Sequence, residues 1–220
     1  MEERFRRLGY RYGYCQNILN QFKQKTTLKV PQIYLVLDFF IFFLRKITIE
    51  KGQTNILLFG RFYIKQGKRK KYAPRFYATR NLKLNMNNLR DFPERGYLGI
   101  QSATMDYKEM FKCAKKYLHL KFKESLFLFN LLIDGIIKEL KEKDVVKLRN
   151  IGIFYTKLTD MSESNLFGRE GNYKQTKMIK FIALGNFTRE TREEVEEYKM
   201  TKKLKKILDF YNFSTRINHD

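Results

Sequence analysis

The sequence predicts an α+β protein built from two copies of one small unit. Two stretches, EKGQTNILLFGRFYIK at 50–65 and EKDVVKLRNIGIFYTK at 142–157, align without a gap at an offset of 92 residues. The alignment matches Gly60 with Gly152, and each stretch reads as a charged turn, a short apolar strand, a glycine and a second strand. A strongly apolar, helix-like run precedes each copy. A repeat of this kind determines the predicted architecture more strongly than the pattern of any single segment does.

The first unit opens with two predicted helices. Apolar residues recur at helical spacing over Tyr14–Lys25. Pro31 suits the first turn of a second helix, whose apolar run over Ile33–Leu44 is interrupted only by Asp38. A run of 12 residues is too short to span a bilayer, and a helix that is apolar on all sides must be buried on all sides. We therefore expect its phenylalanines to be largely buried, some against the second unit or a partner chain. They are Phe39, Phe40, Phe42 and Phe43.

A strongly basic β-hairpin follows, predicted over Arg61–Lys83 with its turn near Gly67–Pro74. Residues 61–90 hold ten basic residues and no acidic one. A solvated, mobile tip is the alternative interpretation of the basic run within it. We expect the hairpin to contact an acidic surface or phosphate groups. The candidate contacts are Lys65, Lys68, Arg69, Lys70, Lys71, Arg75 and Arg80.

The second unit repeats this order after a linker. Breaker residues between Asn85 and Tyr97 indicate where the linker begins, and residues 91–105 are assigned to it. We expect Gly60 and Gly152 to sit where each chain turns tightly, which glycine allows at little steric cost. The further predicted elements are helices over Asp106–Tyr117 and Lys123–Glu142, a hairpin arm over Thr159–Thr176 and a strand over Lys177–Leu184.

The two units are assigned to residues 14–90 and 106–185, which leaves both ends of the chain outside them. Residues 1–13 form a basic, aromatic arm that either lies in a groove of a partner or stays loose. Its candidate contacts are Arg4, Arg6, Arg7 and Arg11. Residues 186–220 are expected to hold a final helix that begins near Asn186 or Thr188 and ends near Phe213. Its glutamates precede its lysines, an order that suits the helix dipole.

The charge balance indicates an acidic partner. The chain has 45 basic and 23 acidic residues, a formal net charge of +22, and a negatively charged partner relieves the self-repulsion of such an excess. Nucleic acid, ribosomal RNA, an anionic membrane and tubulin all meet this requirement. Cys15 and Cys113 belong to no paired metal spacing, and the charged start does not read as a secretory signal. We therefore expect free thiols in a reducing compartment.

Catalytic chemistry has little support in the sequence. The two histidines, His119 and His219, lie far apart, and no nucleophilic triad order, phosphate-binding loop or metal-ligand spacing appears. We expect a protein that is not an enzyme and that uses no cofactor, metal or small-molecule substrate.

The repeated motif resembles the HU/IHF histone-like fold. A helix that ends in a Lys-Gly turn, a strand, and a Gly-x-Phe that opens a long hairpin are typical of that family. Phe62 and Phe154 are the motif phenylalanines here, and Asp144 replaces the turn glycine in the second copy. Two such units in one chain, over about residues 15–185, are also similar to the eukaryotic tandem HU-domain proteins. Those proteins contain coiled coils and are associated with centrosomes and ciliary microtubules.

This resemblance implies two different kinds of partner. In HU/IHF proteins, a proline at the arm tip wedges between base steps and bends DNA, while basic residues contact phosphates. Pro74 lies close to the family's distance from Gly60, but the Arg-Asn pair before it is missing. In the second copy, Gly171 stands where a proline is needed. The asymmetry favours the tandem proteins, in which the fold looks like a protein-binding adaptor.

We therefore expect a structural or adaptor protein of ciliary or centrosomal microtubules, which binds tubulin or another acidic filament protein and does not bind membranes. Architectural DNA binding of the HU/IHF type is the alternative. A basic structural protein of an organellar ribosome is a third possibility. The first function places the chain in the cytoplasm and cytoskeleton, and the other two place it in the nucleus or the mitochondrion.

Overall fold

The chain forms an α+β fold in a computed structural model that describes residues 14–66, 72–88, 107–160, 175–184 and 187–188. The described residues hold five helices and two three-stranded antiparallel sheets, which confirms the fold class. The helices are α1 (Gln16–Lys25), α2 (Val30–Lys51), α3 (Arg80–Met86), α4 (Lys108–Leu118) and α5 (Phe122–Lys143). The first sheet contains β1 (Gln53–Ile56), β2 (Gly60–Gln66) and β3 (Tyr72–Ala78). The second sheet contains β4 (Val145–Leu148), β5 (Gly152–Asp160) and β6 (Gln175–Ala183).

The offset of 92 residues holds well beyond the repeated motif. Helices α2 and α5 both have 22 residues, and the elements from α1 to β2 begin 92 positions before their counterparts from α4 to β5. The strand registers agree as well, because Ile56 pairs with Gly60 and Leu148 pairs with Gly152. The expectation that the two glycines occupy equivalent positions is therefore confirmed.

The long helix α2 extends well past the predicted limits of Ile33–Leu44. It begins after Lys29, whose backbone N–H donates to the side chain of Gln32 at 2.8 Å, and it ends at Gly52, which has a φ of 72°. The apolar run marked only the part of the helix that is buried most evenly, whereas capping contacts set the ends. Among the described residues, no single helix is long and apolar enough to cross a membrane. Only α1 and α2 together meet that test, and they are bent by 113°.

The phenylalanines of α2 are largely buried, and at least one of them packs against the second unit. Three of them are fully buried, and Phe42 is half-buried. Phe40 meets Phe129 of α5 edge to face, with ring centroids 5.4 Å apart. Helix α1 also packs on α5, so closely that a Cβ added at Gly135 would lie 2.8 Å from the Cα of Ile18. The second unit of the same chain is therefore the partner that buries α2, as expected.

A cluster of phenylalanines joins the two sheets. The equivalent residues Phe62 and Phe154 contact each other with ring centroids 5.9 Å apart, and the equivalent residues Phe76 and Phe181 do so at 6.3 Å. The crossed contacts are present too, at 5.6 Å for Phe62 with Phe181 and at 5.0 Å for Phe76 with Phe154. Such reciprocal contacts are typical of an isologous interface between two copies of one unit.

The two motif glycines are required by close packing and not by a turn. Neither has a positive φ. A Cβ at Gly60 would lie 2.3 Å from Cζ of Phe76, and a Cβ at Gly152 would lie 2.3 Å from Cε2 of Phe181. The expectation that glycine serves a tight turn is therefore wrong, because the aromatic ring of the neighbouring strand takes the space. The turn residues with a positive φ are Leu58 and Asn150.

Polar contacts reinforce the junction between the units. The side chain of Asn17 donates to Glu139 at 2.6 Å and to Glu142 at 2.7 Å. The side chain of Asn87 pairs with the backbone of Lys177 in β6, donating to its C=O at 3.2 Å and accepting from its N–H at 2.8 Å. Both contacts join residues that are at least 90 positions apart in sequence.

Helix α3 was missed by the sequence interpretation, which extended the hairpin to Lys83 and read breaker residues from Asn85 onward. The hairpin strand β3 ends at Ala78, so the predicted end of the hairpin is wrong. Asn85 is buried within α3. The helix begins at a polar cap, where the hydroxyl of Thr79 accepts from the backbone N–H of Leu82 at 3.2 Å. The assigned linker, residues 91–105, lies outside the described residues, as do residues 161–174. Of the final helix expected to begin near Asn186 or Thr188, only Phe187 and Thr188 are described, and both are helical.

Candidate functional site

The outward side of the first sheet carries cations and tyrosines, and we call it the basic face. Successive side chains of a strand point to opposite sides of the sheet. On β2, Arg61, Tyr63 and Lys65 share the side away from the phenylalanine cluster, and Arg75 and Tyr77 join them from β3. Arg61, Lys65 and Arg75 are exposed, Tyr63 is half-buried, and Tyr77 is 55% exposed.

Cations and aromatic rings alternate in both directions on the basic face. The strand register places Arg61 opposite Tyr77, and it places Tyr63 opposite Arg75. The guanidinium carbon of Arg61 also lies 5.6 Å from the centre of the Tyr63 ring. Each tyrosine therefore has an arginine across from it, and a cation beside it on its own strand.

Helix α3 adds a further cation at the edge of this face. Lys83 is only 7% exposed, and its ammonium lies 4.5 Å from the centre of the Tyr77 ring, within the range of a cation–π interaction. Lys83, Tyr63 and Tyr77 were not among the predicted contacts. The alternation of basic and aromatic residues along β2 could have indicated the tyrosines, whereas the position of Lys83 depends on how α3 packs.

No acidic residue opposes these cations within the first sheet, because none of its three strands contains Asp or Glu. Elsewhere in the described part of the chain, acidic side chains form ion pairs, as Asp38 does with Arg149 and Glu109 with Lys46. Within the same described residues, no ion pair involves a cation of the basic face. Among the described residues, no acidic side chain therefore pairs with the cations of the face.

The structure places three of the predicted contact residues. Lys65 and Arg75 lie on the basic face, and Arg80 is exposed at the first position of α3. The basic run and the N-terminal arm contacts lie outside the described residues, and they remain predictions. These are Lys68, Arg69, Lys70, Lys71, Arg4, Arg6, Arg7 and Arg11.

The predicted turn, Gly67–Pro74, included Pro74. In the structure, Pro74 lies in a strand instead. Strand β3 begins at Tyr72, and Pro74 is buried within it, opposite Ile64. A proline is compatible with this position because β3 is an edge strand of its sheet, where one side needs no backbone donor. A buried proline inside a strand cannot wedge between base steps.

The second sheet keeps only part of the pattern. Tyr155, Lys157 and Lys180 occupy the positions equivalent to Tyr63, Lys65 and Arg75. The pair of Arg61 and Tyr77 is replaced by Ile153 and Ile182, and Ile153 is only 7% exposed. Of the two sheets, the first therefore has the full alternation of exposed cations and tyrosine rings.

The described residues contain no metal-binding cluster, and their two thiols are not activated. No cluster of three or more His, Cys, Asp or Glu residues within them could hold a metal ion. Burial raises the pKa of the Cys15 thiol to about 12, and burial also raises the pKa of Cys113. Both thiols are therefore poor nucleophiles at neutral pH.

Comparison with known proteins adds no relative, since no family model, no curated protein and no solved structure matches the chain. The chemistry of the basic face is thus the observation on which a function can rest.

Proposed function

We propose that the chain is a non-enzymatic structural protein that binds an acidic polymer through the basic face, and that its two units are HU-like. The observation that carries this proposal is the positive charge of the face, where Arg61, Lys65 and Arg75 are exposed on strands without acidic residues and form no ion pair with any described residue. The strand register fixes the backbone positions from which these side chains extend, so that a partner with regularly spaced acidic groups is favoured.

The acidic polymer is a filament protein of the tubulin kind, in the cytoskeleton of a cilium or centrosome. This choice rests on the resemblance of the repeated motif to the tandem HU-domain proteins. It agrees with the position of Pro74, because a proline buried in β3 does not supply the wedge that architectural DNA bending of the HU/IHF type uses. The alternative of architectural DNA binding is therefore supported only by the general attraction of a basic protein for phosphate.

A pair of matched variants tests the proposal by sedimentation with microtubules at physiological salt. The basic-face variant is Lys65→Ala with Arg75→Ala, and the control is Lys157→Ala with Lys180→Ala at the equivalent positions of the second sheet. Both variants remove two positive charges. We expect the basic-face variant to bind about tenfold more weakly, since two exposed ion pairs contribute together about 1.4 kcal/mol. The control should change the affinity by less than about threefold.

Equal weakening by the two variants would show that net charge and not the basic face determines binding. A gel shift with duplex DNA at the same salt concentration runs in parallel. Duplex binding tighter than microtubule binding would favour the architectural function. In that case, each lost phosphate contact should lower the salt dependence of log K by roughly one unit.

A further inference from the structure

We infer that the basic face also binds single-stranded nucleic acid, with its two tyrosines stacking on bases and its cations contacting phosphates. This inference rests on the face that the proposed function uses, but it assigns that face a ligand with aromatic chemistry. The reason is the composition of the face. An acidic protein surface requires only cations, whereas the face alternates cations with the rings of Tyr63 and Tyr77.

Exposed aromatic rings within a positively charged surface suit single strands. Each base of a single strand has a free π-face, and stacking on an aromatic side chain contributes about 1–3 kcal/mol per base. The bases of a duplex stack on each other, and the face of a three-stranded sheet is wider than the two-stranded ribbon that the major groove admits. Tyr77 is the more accessible ring at 55% exposure, and Tyr63 is half-buried.

The positions of the rings fit neighbouring nucleotides that are spread apart. Tyr77 lies two residues after Arg75, which is opposite Tyr63, so that the tyrosines are diagonal neighbours on adjacent strands. The positions of diagonal neighbours on adjacent strands are about 7–8 Å apart, which is roughly twice the 3.4 Å rise per nucleotide of a duplex strand. Two splayed bases could therefore each meet one ring.

Cations surround each ring where phosphates would follow the bases. Tyr63 has Arg61 and Lys65 on its own strand and Arg75 across from it. Tyr77 has Arg61 across from it and Arg75 two residues before it on its own strand, and both are exposed. The second sheet retains Tyr155 but has Ile182 in place of the second tyrosine, so it provides an internal comparison.

The test measures fluorescence anisotropy of a labelled single strand of about 10 nucleotides at about 0.15 M salt. Three full-length variants are compared with the natural chain. They are Tyr63→Leu with Tyr77→Leu, Tyr63→Phe with Tyr77→Phe, and Tyr155→Leu. We expect the leucine pair to weaken binding by at least about tenfold, because it removes two stacking rings. The phenylalanine pair and Tyr155→Leu should stay within about threefold of the natural chain.

Ultraviolet crosslinking of the natural chain keeps the test independent of how well the variants fold. Crosslinks mapped by mass spectrometry to Tyr63 and Tyr77 are expected. Crosslinks found only elsewhere would overturn the inference, as would equal affinities of the leucine and phenylalanine pairs or no binding of the single strand at this salt concentration.

The outcome is separable from that of the proposed function. The leucine pair retains every cation, so its sedimentation with microtubules should be unchanged. Microtubule binding that depends on Lys65 and Arg75, with no effect of the tyrosines on single strands, would leave the proposed function standing and refute this inference. Tyrosine-dependent binding of single strands without microtubule binding would do the reverse.

Discussion

Substituting Gly60 by alanine tests why the motif contains a glycine. The added Cβ would lie 2.3 Å from Cζ and 2.4 Å from Cε2 of Phe76, and 2.7 Å from the carbonyl oxygen of Tyr77. Real Cβ atoms essentially never approach other atoms so closely. Either the ring of Phe76 or the backbone of β3 has to move.

The cost follows from what surrounds Phe76. Its ring contacts Phe59, Phe62, Phe154 and Phe181, with centroid distances from 5.0 to 6.3 Å. Overpacking a core costs about 1–3 kcal/mol, and each aromatic pair that loses its geometry costs about 0.5–1.5 kcal/mol more. We expect Gly60→Ala to lower the free energy of unfolding by about 3 kcal/mol. Gly152→Ala should cost a similar amount, because Phe181 and the Ile182 carbonyl oxygen crowd it in the same way.

Urea denaturation of a double-mutant cycle measures the effect. Phe76→Leu removes the crowding ring, so Gly60→Ala should cost at least about 1 kcal/mol less in the Phe76→Leu background. The control is Gly52→Ala, where φ is 72° and no atom lies within 4 Å of an added Cβ. That substitution should cost about 1–2 kcal/mol through backbone strain alone, and it should be additive with Phe76→Leu. Additivity of Gly60→Ala with Phe76→Leu would refute the packing explanation.

Two further predictions concern ionisable groups. Because the pKa of Cys15 is about 12, the thiolate form of Cys15 at pH 8 is about a thousandfold less populated than that of an ordinary thiol. The Cys113→Ala variant leaves Cys15 as the single thiol of the chain. A disulfide reagent should therefore react far more slowly with the folded variant than with the unfolded variant. Reaction rates within about tenfold of each other would contradict this expectation. Hydrogen bonds from Lys177 and Thr156 lower the pKa of Asp144, so its ionised form stabilises the fold above the unfolded pKa of about 3.9, and that contribution is lost as the pH falls through the folded pKa. Asp144→Asn should therefore be less stable than the natural chain at pH 7, and the difference measured by urea denaturation should shrink in acid; a difference independent of pH would exclude this role.

The α+β class and the repeat at an offset of 92 residues could be predicted because both follow from patterns among residues that are close in sequence. Apolar periodicity marks helices and strands wherever they pack, and the equivalence of Gly60 with Gly152 follows from aligned sequence alone. The burial of the phenylalanines of α2 was predictable for the same reason, since a helix without a polar side has to be covered. The alternation of a strand could place Lys65 on the same side of β2 as Arg61, whereas Arg75 joins them only through the register of β3 with β2.

Other features were decided only by contacts between residues far apart in sequence. Phe76 crowds Gly60 from the neighbouring strand, and the second unit supplies Phe129 as the neighbour of Phe40. The register of β2 with β3 sets each tyrosine of the basic face against an arginine, and the packing of α3 brings Lys83 over Tyr77. None of these relations has a local pattern, because each depends on how separate elements are brought together when the core closes.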